Sequence, residues 1–358
     1  MVARPWFTWA FAIAASSALV LASGVARADD GDGIPDEIED LAERTVLTNV
    51  FPEPAPRTLS ILSESSGAPV DDKFRVTYES GRFELRYSRN ASDDPYASYT
   101  VELRKLLEWL DGNADGLFQE NEAVAEWGLG GDAFGNSTLS HASASNEDGG
   151  NVETFLVRAA VGAASEVALG LTIAERFMRI AENRVLTPME VKLDVYVNHT
   201  LESPAARVGV EFHLETDAEN AMSWDAPSWD VQQGFSEDES WMNITSAAHG
   251  STMFFSWTNR ALVDGRDGAV LASIVPSNEG SEKSYDVHLL YPSGLGAASV
   301  RIAHDPTLGV VSTAYEAILG LPGEPRLVPD FPLYVVSLVA VAGILASTVL
   351  LARRRRQT

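Results

Sequence analysis

The chain has 358 residues, no cysteine, 26 Lys plus Arg against 51 Asp plus Glu, and a formal net charge of −25. Disulfide staples, thiol nucleophiles and cysteine-based zinc sites are thereby excluded. Every acidic residue lies between Asp29 and Asp330, whereas Arg4, Arg27 and Arg353–Arg356 stand outside that span, so the middle of the chain is more acidic than the total; such a surface repels nucleic acid and attracts divalent cations.

At the N-terminus, Arg4, the uncharged run Trp6–Leu21 and the small-x-small triplet Ala26-Arg27-Ala28 follow one another. That order predicts a signal peptide over residues 1–28, with an uncleaved N-terminal anchor as the alternative. Residues 29–56 form an acidic segment: the Asp-rich stretch Asp29–Asp36, a short helix expected over Asp36–Arg44, and a stiff proline-rich linker at Phe51–Pro56.

Residues 57–184 hold a β-hairpin and a motif-bearing region. Phe74, Val76 and Tyr78 alternate, Ser80-Gly81 turn, and Phe83, Leu85 and Tyr87 alternate back. Leu103, Leu106, Leu107 and Leu110 recur at helical spacing, which predicts a helix over Tyr99–Leu110, and Glu120–Trp127 reads as a second helix. Gly128–Gly150 reads as a long loop, and Phe155–Ile180 fits strand or helix. Residues 185–310 turn to β patterning, with a hairpin expected across His199–Arg207 and a turn at Asp264–Gly268, in an antiparallel sandwich-like domain. A linker over 311–332 leads to Leu333–Ala352, twenty residues without a charge, long enough as a helix to span a ~30 Å hydrocarbon core. The basic tail 353–358 follows and predicts a cytoplasmic end, hence a single-pass protein of the cell membrane with its N-terminal bulk outside.

Between the two expected helices stands Asp111-Gly-Asn113-Ala-Asp115-Gly116-Leu117-Phe118-Gln119-Glu-Asn-Glu122. A hard cation takes six to eight oxygens, which a twelve-residue loop can supply from alternating positions. Asp111, Asn113 and Asp115 fill positions 1, 3 and 5, Gly116 permits the turn at 6, Leu117 offers its carbonyl at 7, Gln119 stands at 9 and Glu122 closes at 12. This run resembles the EF-hand family over Tyr99–Trp127, with no adjacent second hand. The resemblance implies calcium as cofactor, flanking helices, and a structural rather than signalling ion. Asp30, Asp32, Asp36 and Glu39 are similar to the calcium repeats of thrombospondin type 3 or dockerin segments, but Ala28 stands at the first ligand position. Val328-Pro-Asp-Phe-Pro332 before the apolar run resembles archaeal PEF-type sorting signals, which implies exchange of the helix for a lipid, as against a retained helix.

No H-E-x-x-H, Gly-x-Ser-x-Gly, phosphate-loop or dinucleotide motif is present. The sequence therefore predicts an α+β protein: a helical EF-hand module plus a β-sandwich-like domain. It is expected to be a calcium-binding, non-catalytic surface protein of structural or adhesive role, with a cell-envelope or glycan partner. A hydrolase or carbohydrate-binding protein with a structural calcium is the alternative. Trp224, Trp229, Trp241 and Trp257 are the aromatics that could stack on a sugar, or else fill the sandwich core.

Overall fold

The computed structural model describes residues 44–51, 58–65, 72–88, 96–145, 150–176, 178–181, 184–225, 239–248, 251–277, 283–292 and 298–312. The described residues open with an antiparallel meander of β1 (Arg44–Phe51), β2 (Thr58–Ser65), β3 (Lys73–Glu79), β4 (Arg82–Ser88) and β5 (Ala97–Trp109). Ser80 and Gly81 both have positive φ, 51° and 87°, as a two-residue hairpin turn between β3 and β4 requires. β6 (Ala123–Gly128) then folds back along the second half of β5. A single helical turn, α1 (Gly130–Ala133), carries the chain to a second sheet: β7 (Thr138–Ser145), β8 (Asn151–Val161), β9 (Ser165–Ala174) and, after the small ribbon β10 (Met178–Ala181) and β11 (Arg184–Leu186), β12 (Glu190–Thr200).

From there the chain crosses repeatedly between sheets. β13 (Arg207–Thr216) returns to the first, beside β5; β14 (Ala221–Asp225), β15 (Glu239–Ser246), β16 (Ser251–Thr258), β17 (Arg260–Val263) and β18 (Arg266–Ala269) join the second. β19 (Leu271–Ser277) and β20 (Lys283–Tyr291) complete the first sheet, and β21 (Ser299–His304) and β22 (Thr307–Ser312) the second. The first sheet runs β1-β2-β3-β4-β5-β13-β20-β19; in the second, β12 is central, with β21 and β22 along one edge and β9-β8-β7 beyond the other.

Alternating residues of the two sheets fill one continuous core: Phe74, Tyr99, Phe212 and Val287 from the first, Phe155, Leu169, Leu193, Phe255 and Trp257 from the second. Polar ties cross this core. The Tyr99 hydroxyl donates to the Phe254 carbonyl at 2.5 Å, and the Ser63 hydroxyl to that of Pro188 at 2.8 Å. Both join backbone groups that would otherwise stand dry between the layers.

The expected α+β class is corrected by these strands. Tyr99–Leu110 is not a helix but almost wholly β5, and Glu120–Trp127 is a 3-10 turn followed by β6. The cause is a bulge. Opposite β13, Glu211 faces Lys105 while Phe212 faces Leu103, so Arg104 is an extra residue. The bulge resets the alternation: Leu103 and Leu106 both face the main core, and Leu107 and Trp109 face outward beneath a second cover. Leucines at i, i+3 and i+4 are thus a bulged strand buried on both faces. The apolar stretch from Phe155 resolves as strands β8 and β9. β12 and β13 are not a hairpin, because they belong to different sheets. The turn at Asp264-Gly265 does form a hairpin, joining β17 to β18.

The expected membrane span is likewise corrected. Among the described residues no helix is long and apolar enough to cross a membrane. Leu333–Ala352 lies outside those residues, as do the signal segment, the Asp-rich stretch and the Val328–Pro332 motif. The single-pass anchor and the cell-membrane placement drawn from it have no structural support.

Candidate functional site

The EF-hand-like run is the loop of a β-hairpin. β5 enters it, β6 leaves it, and the Leu110 amide donates to the Glu122 carbonyl at 3.0 Å to close its neck. The helical EF-hand module expected from the sequence is therefore absent, and the loop stands without its two helices.

Inside the loop the spacing does local work. Ala114 and Gly116 take positive φ, 61° and 78°, which lets the chain double back twice within six residues. The Gly116 amide donates to Asp111 Oδ2 at 3.2 Å, and the Gly112 amide to Glu122 Oε1 at 2.9 Å. The first and last ligand positions are thus tied into one turn. The Asp111 side chain is 7% exposed, and its Oδ2 also meets the Arg207 guanidinium at 2.8 Å. Among the described residues no donor reaches two buried oxygens of this loop, Asp111 Oδ1 and Glu122 Oε2. A recess of about 430 Å³ on the Glu122 side of the loop is lined by Gly112, Asn113, Gln119, Asn121 and Glu122 with the apolar Leu110, Ala123 and Val124, and does not include Asp111.

The remaining predicted ligands face one another. Asn113 Nδ2 donates to Asp115 Oδ2 at 2.7 Å, and Gln119 Nε2 to the same oxygen at 2.9 Å. The Leu117 amide is taken up by Asp115 Oδ1, which leaves the Leu117 carbonyl as that residue's contribution. Among the described residues, no three His, Asp or Glu side chains gather closely enough to form a metal cluster by themselves. The donor set nevertheless suits a hard cation: two orphaned buried carboxylate oxygens, a third carboxylate held by exposed amide groups, and amide and carbonyl oxygens alongside.

The loop also has a packing role that the sequence did not suggest. Phe118 reaches back onto the outer face of the first sheet and closes a small cluster with Leu107, Trp109, Leu271 and Leu290. Its ring meets Trp109 edge-on at 6.1 Å and lies 5.1 Å from His288. His288 begins a polar ridge on β13 and β20. It bonds Glu211 at 3.2 Å, Lys105 stands 3.4 Å from the same carboxylate, and His213 bonds Asp286 at 2.7 Å. Burial pushes the Glu211 carboxyl up, but the His288 hydrogen bond and the Lys105 charge hold it below its ordinary value. Burial acts the same way on Asp286, and the His213 hydrogen bond and charge, with Arg104, hold it down as well.

A second arrangement escaped sequence reasoning. Glu108 and His199, 0% and 1% exposed, meet between the sheets at 3.1 Å, and Ser165 Oγ lies 2.8 Å from the other ring nitrogen, Nδ1. Glu108 accepts further bonds from the amides of Glu202 and Ser203, at 3.0 and 2.7 Å. The partners lie 91 and 34 residues from His199 and share no local motif, so only the fold brings them together.

The expected sugar-stacking tryptophans do not form one platform. Trp257 is fully buried, Trp241 is half-buried, and Trp224 is 43% exposed on Tyr285 at the edge; Trp229 lies outside the described residues. The chain also holds four Asn-x-Ser/Thr triplets, of the kind that accept N-linked glycans, at Asn90, Asn136, Asn198 and Asn243; Asn136 and Asn198 are exposed, Asn243 is 6% exposed, and Asn90 lies outside the described residues.

No family model matches the chain, and no curated protein matches it. Among solved structures it is similar to a putative kojibiose phosphorylase from human microbiome, at 7% identity and a TM-score of 0.24, over 85% of this chain and 37% of that one. The chain thus spans little more than a third of that protein, and a likeness this slight does not define a shared fold.

Proposed function

We propose that this is a calcium-fastened β-sandwich protein with a structural or adhesive role, its ion held in the β5–β6 hairpin loop by Asp111, Asn113, Asp115, Leu117, Gln119 and Glu122. The observation that carries this reading is the pair of buried carboxylate oxygens without a donor, Asp111 Oδ1 and Glu122 Oε2. A buried acceptor left unsatisfied costs about 1–3 kcal/mol, more when charged, so a folded loop that keeps two of them has a strong need for a cation. Calcium supplies a divalent charge that several loop oxygens can share at once.

The chain's own residues do the rest. Arg207 engages Asp111 Oδ2 and leaves Oδ1 without a donor, and the Gly112 amide engages Glu122 Oε1 and leaves Oε2 likewise. Asp115 exchanges exposed side-chain partners, a small cost at a solvated surface. With the loop fixed, Phe118 stays seated on Trp109, Leu271 and Leu290. The ion therefore fastens a flap over the outer face of the first sheet. Calorimetric titration of the full chain with calcium, beside Glu122→Gln, tests this: one site in the wild type, lost in the variant, is the expected result.

A further inference from the structure

From the interior arrangement on β5, β9 and β12 we infer that Ser165 is an activated nucleophile, and that the protein carries an acyl-transfer activity toward small, uncharged esters. This stands apart from the calcium reading. Glu108 as a carboxylate can only accept, so the neutral His199 ring places its proton on Nε2 and directs it to Glu108. Nδ1 is then the free base, 2.8 Å from Ser165 Oγ, and receives the Ser165 O–H. Which of the two ring nitrogens faces the nucleophile is immaterial to the chemistry; a base on one and a carboxylate-held N–H on the other is the requirement.

The supporting groups are fixed. Two backbone amides, of Glu202 and Ser203, hold the Glu108 carboxylate, and the Trp127 ring covers His199 at 4.6 Å. The Thr200 amide donates to Ser165 Oγ at 3.3 Å, which sets the hydroxyl's direction toward the ring. The base is buried, but the nucleophile stands at the hairpin turn between β8 and β9. Ser165 is half-buried, and Gly162, Ala163, Ala164 and Thr200 around it are exposed. A cleft of about 390 Å³ on the outward side of the same strands, lined by Glu166, Asn198, Tyr196 and Leu262 among others, does not include Ser165. The substrate must therefore be small enough to reach the turn directly from solvent, and the acidic neighbours Glu166 and Glu202 disfavour an anionic one.

The step balances without a cofactor. Ser165 Oγ bonds to the ester carbonyl carbon while its proton moves to His199 Nδ1. The carbon–oxygen bond to the alcohol then breaks, and the alcohol leaves with that proton. Water, losing a proton to the same nitrogen, attacks the acyl carbon; the acid departs and Ser165 recovers its hydrogen. Glu108 steadies the transient imidazolium throughout.

The experiment treats the full chain with a fluorophosphonate and reads adducts by intact mass and peptide mapping. Release of p-nitrophenol from p-nitrophenyl acetate is followed in parallel. One adduct on Ser165, abolished by Ser165→Ala, with ester turnover at least tenfold above that variant, is expected. Glu108→Gln, confirmed as folded by its melting curve, is expected to label at least tenfold more slowly and with an altered pH profile. No Ser165 adduct under conditions that saturate an ordinary serine hydrolase overturns the inference, as does equal labelling in a folded Glu108→Gln.

Discussion

Arg207 and Asp111 meet at 2.8 Å across the mouth of the β5–β6 loop, and the carboxylate oxygen that Arg207 does not hold is the one left buried without a donor. The pair therefore divides Asp111 into a tethered half and an available half. Arg207→Gln removes the guanidinium that meets this largely buried carboxylate and should lower the melting stability of the calcium-free chain by about 1–3 kcal/mol. Calcium should restore more of that loss than it adds to the wild type, because the ion then has no competing cation at Asp111. A calcium-induced shift that disappears in Arg207→Gln would contradict the division.

Phe118 links the loop to the sheet. Replacing it with alanine opens the cluster of Leu107, Trp109, Leu271 and Leu290. The site lies under a loop that can partly collapse, so the cost should fall near the lower end of the usual range for buried aromatics, about 2–4 kcal/mol by denaturant unfolding. Calcium affinity should weaken in the same variant. Unchanged affinity would separate the cluster from the site.

Gly309 tests the packing of the second sheet. A Cβ there would stand 2.5 Å from the Phe254 ring, 2.7 Å from a second atom of that ring and 2.8 Å from the Glu190 side chain. Gly309→Ala should cost about 1–3 kcal/mol through overpacking, since Phe254 lies buried in β16 and has little room to yield. A neutral outcome in thermal melting would show that the Phe254 ring and the Glu190 side chain, which lie outside the core shared by the two sheets, can yield to the added methyl.

The polar ridge sets an acid limit. Glu211 and Asp286 both hold their folded-state values below the ordinary ones of 4.5 and 3.8. A depressed carboxylate contributes stability that is present above its unfolded value and is lost as pH falls through the folded one. Stability should therefore decline below about pH 4.5, and Glu211→Gln with Asp286→Asn should flatten that decline while lowering stability at pH 7. Urea unfolding at pH 7 and pH 3.5 reads both effects; equal acid slopes in the two proteins would refute them.

What could be read ahead of the fold follows a physical line. Asp111–Glu122 was legible as a compact loop because its Asp, Asn and Gly residues bond one another within the segment, and the hairpin at Ser80-Gly81 was legible because its turn residues and alternation are local. The secondary structure around the loop was not. The Arg104 bulge breaks the alternation of β5, and Phe118 buries the face that would otherwise be polar, so the leucines there mimic a helix. β12 and β13 each alternate well, yet nothing local says that one belongs to each sheet. Glu108, His199 and Ser165 lie on three strands and are assembled only by pairing across the core.

The central claim, that the loop binds calcium through its two orphaned carboxylate oxygens, is tested most directly by thermal melting of the full chain against Glu122→Gln as calcium is raised. If the site binds near 1 mM, about 10 mM calcium adds roughly 1.4 kcal/mol, a shift of a few degrees. The wild type should show that shift and Glu122→Gln should lose it. No shift at about 10 mM, or an equal shift in both proteins, would contradict the account.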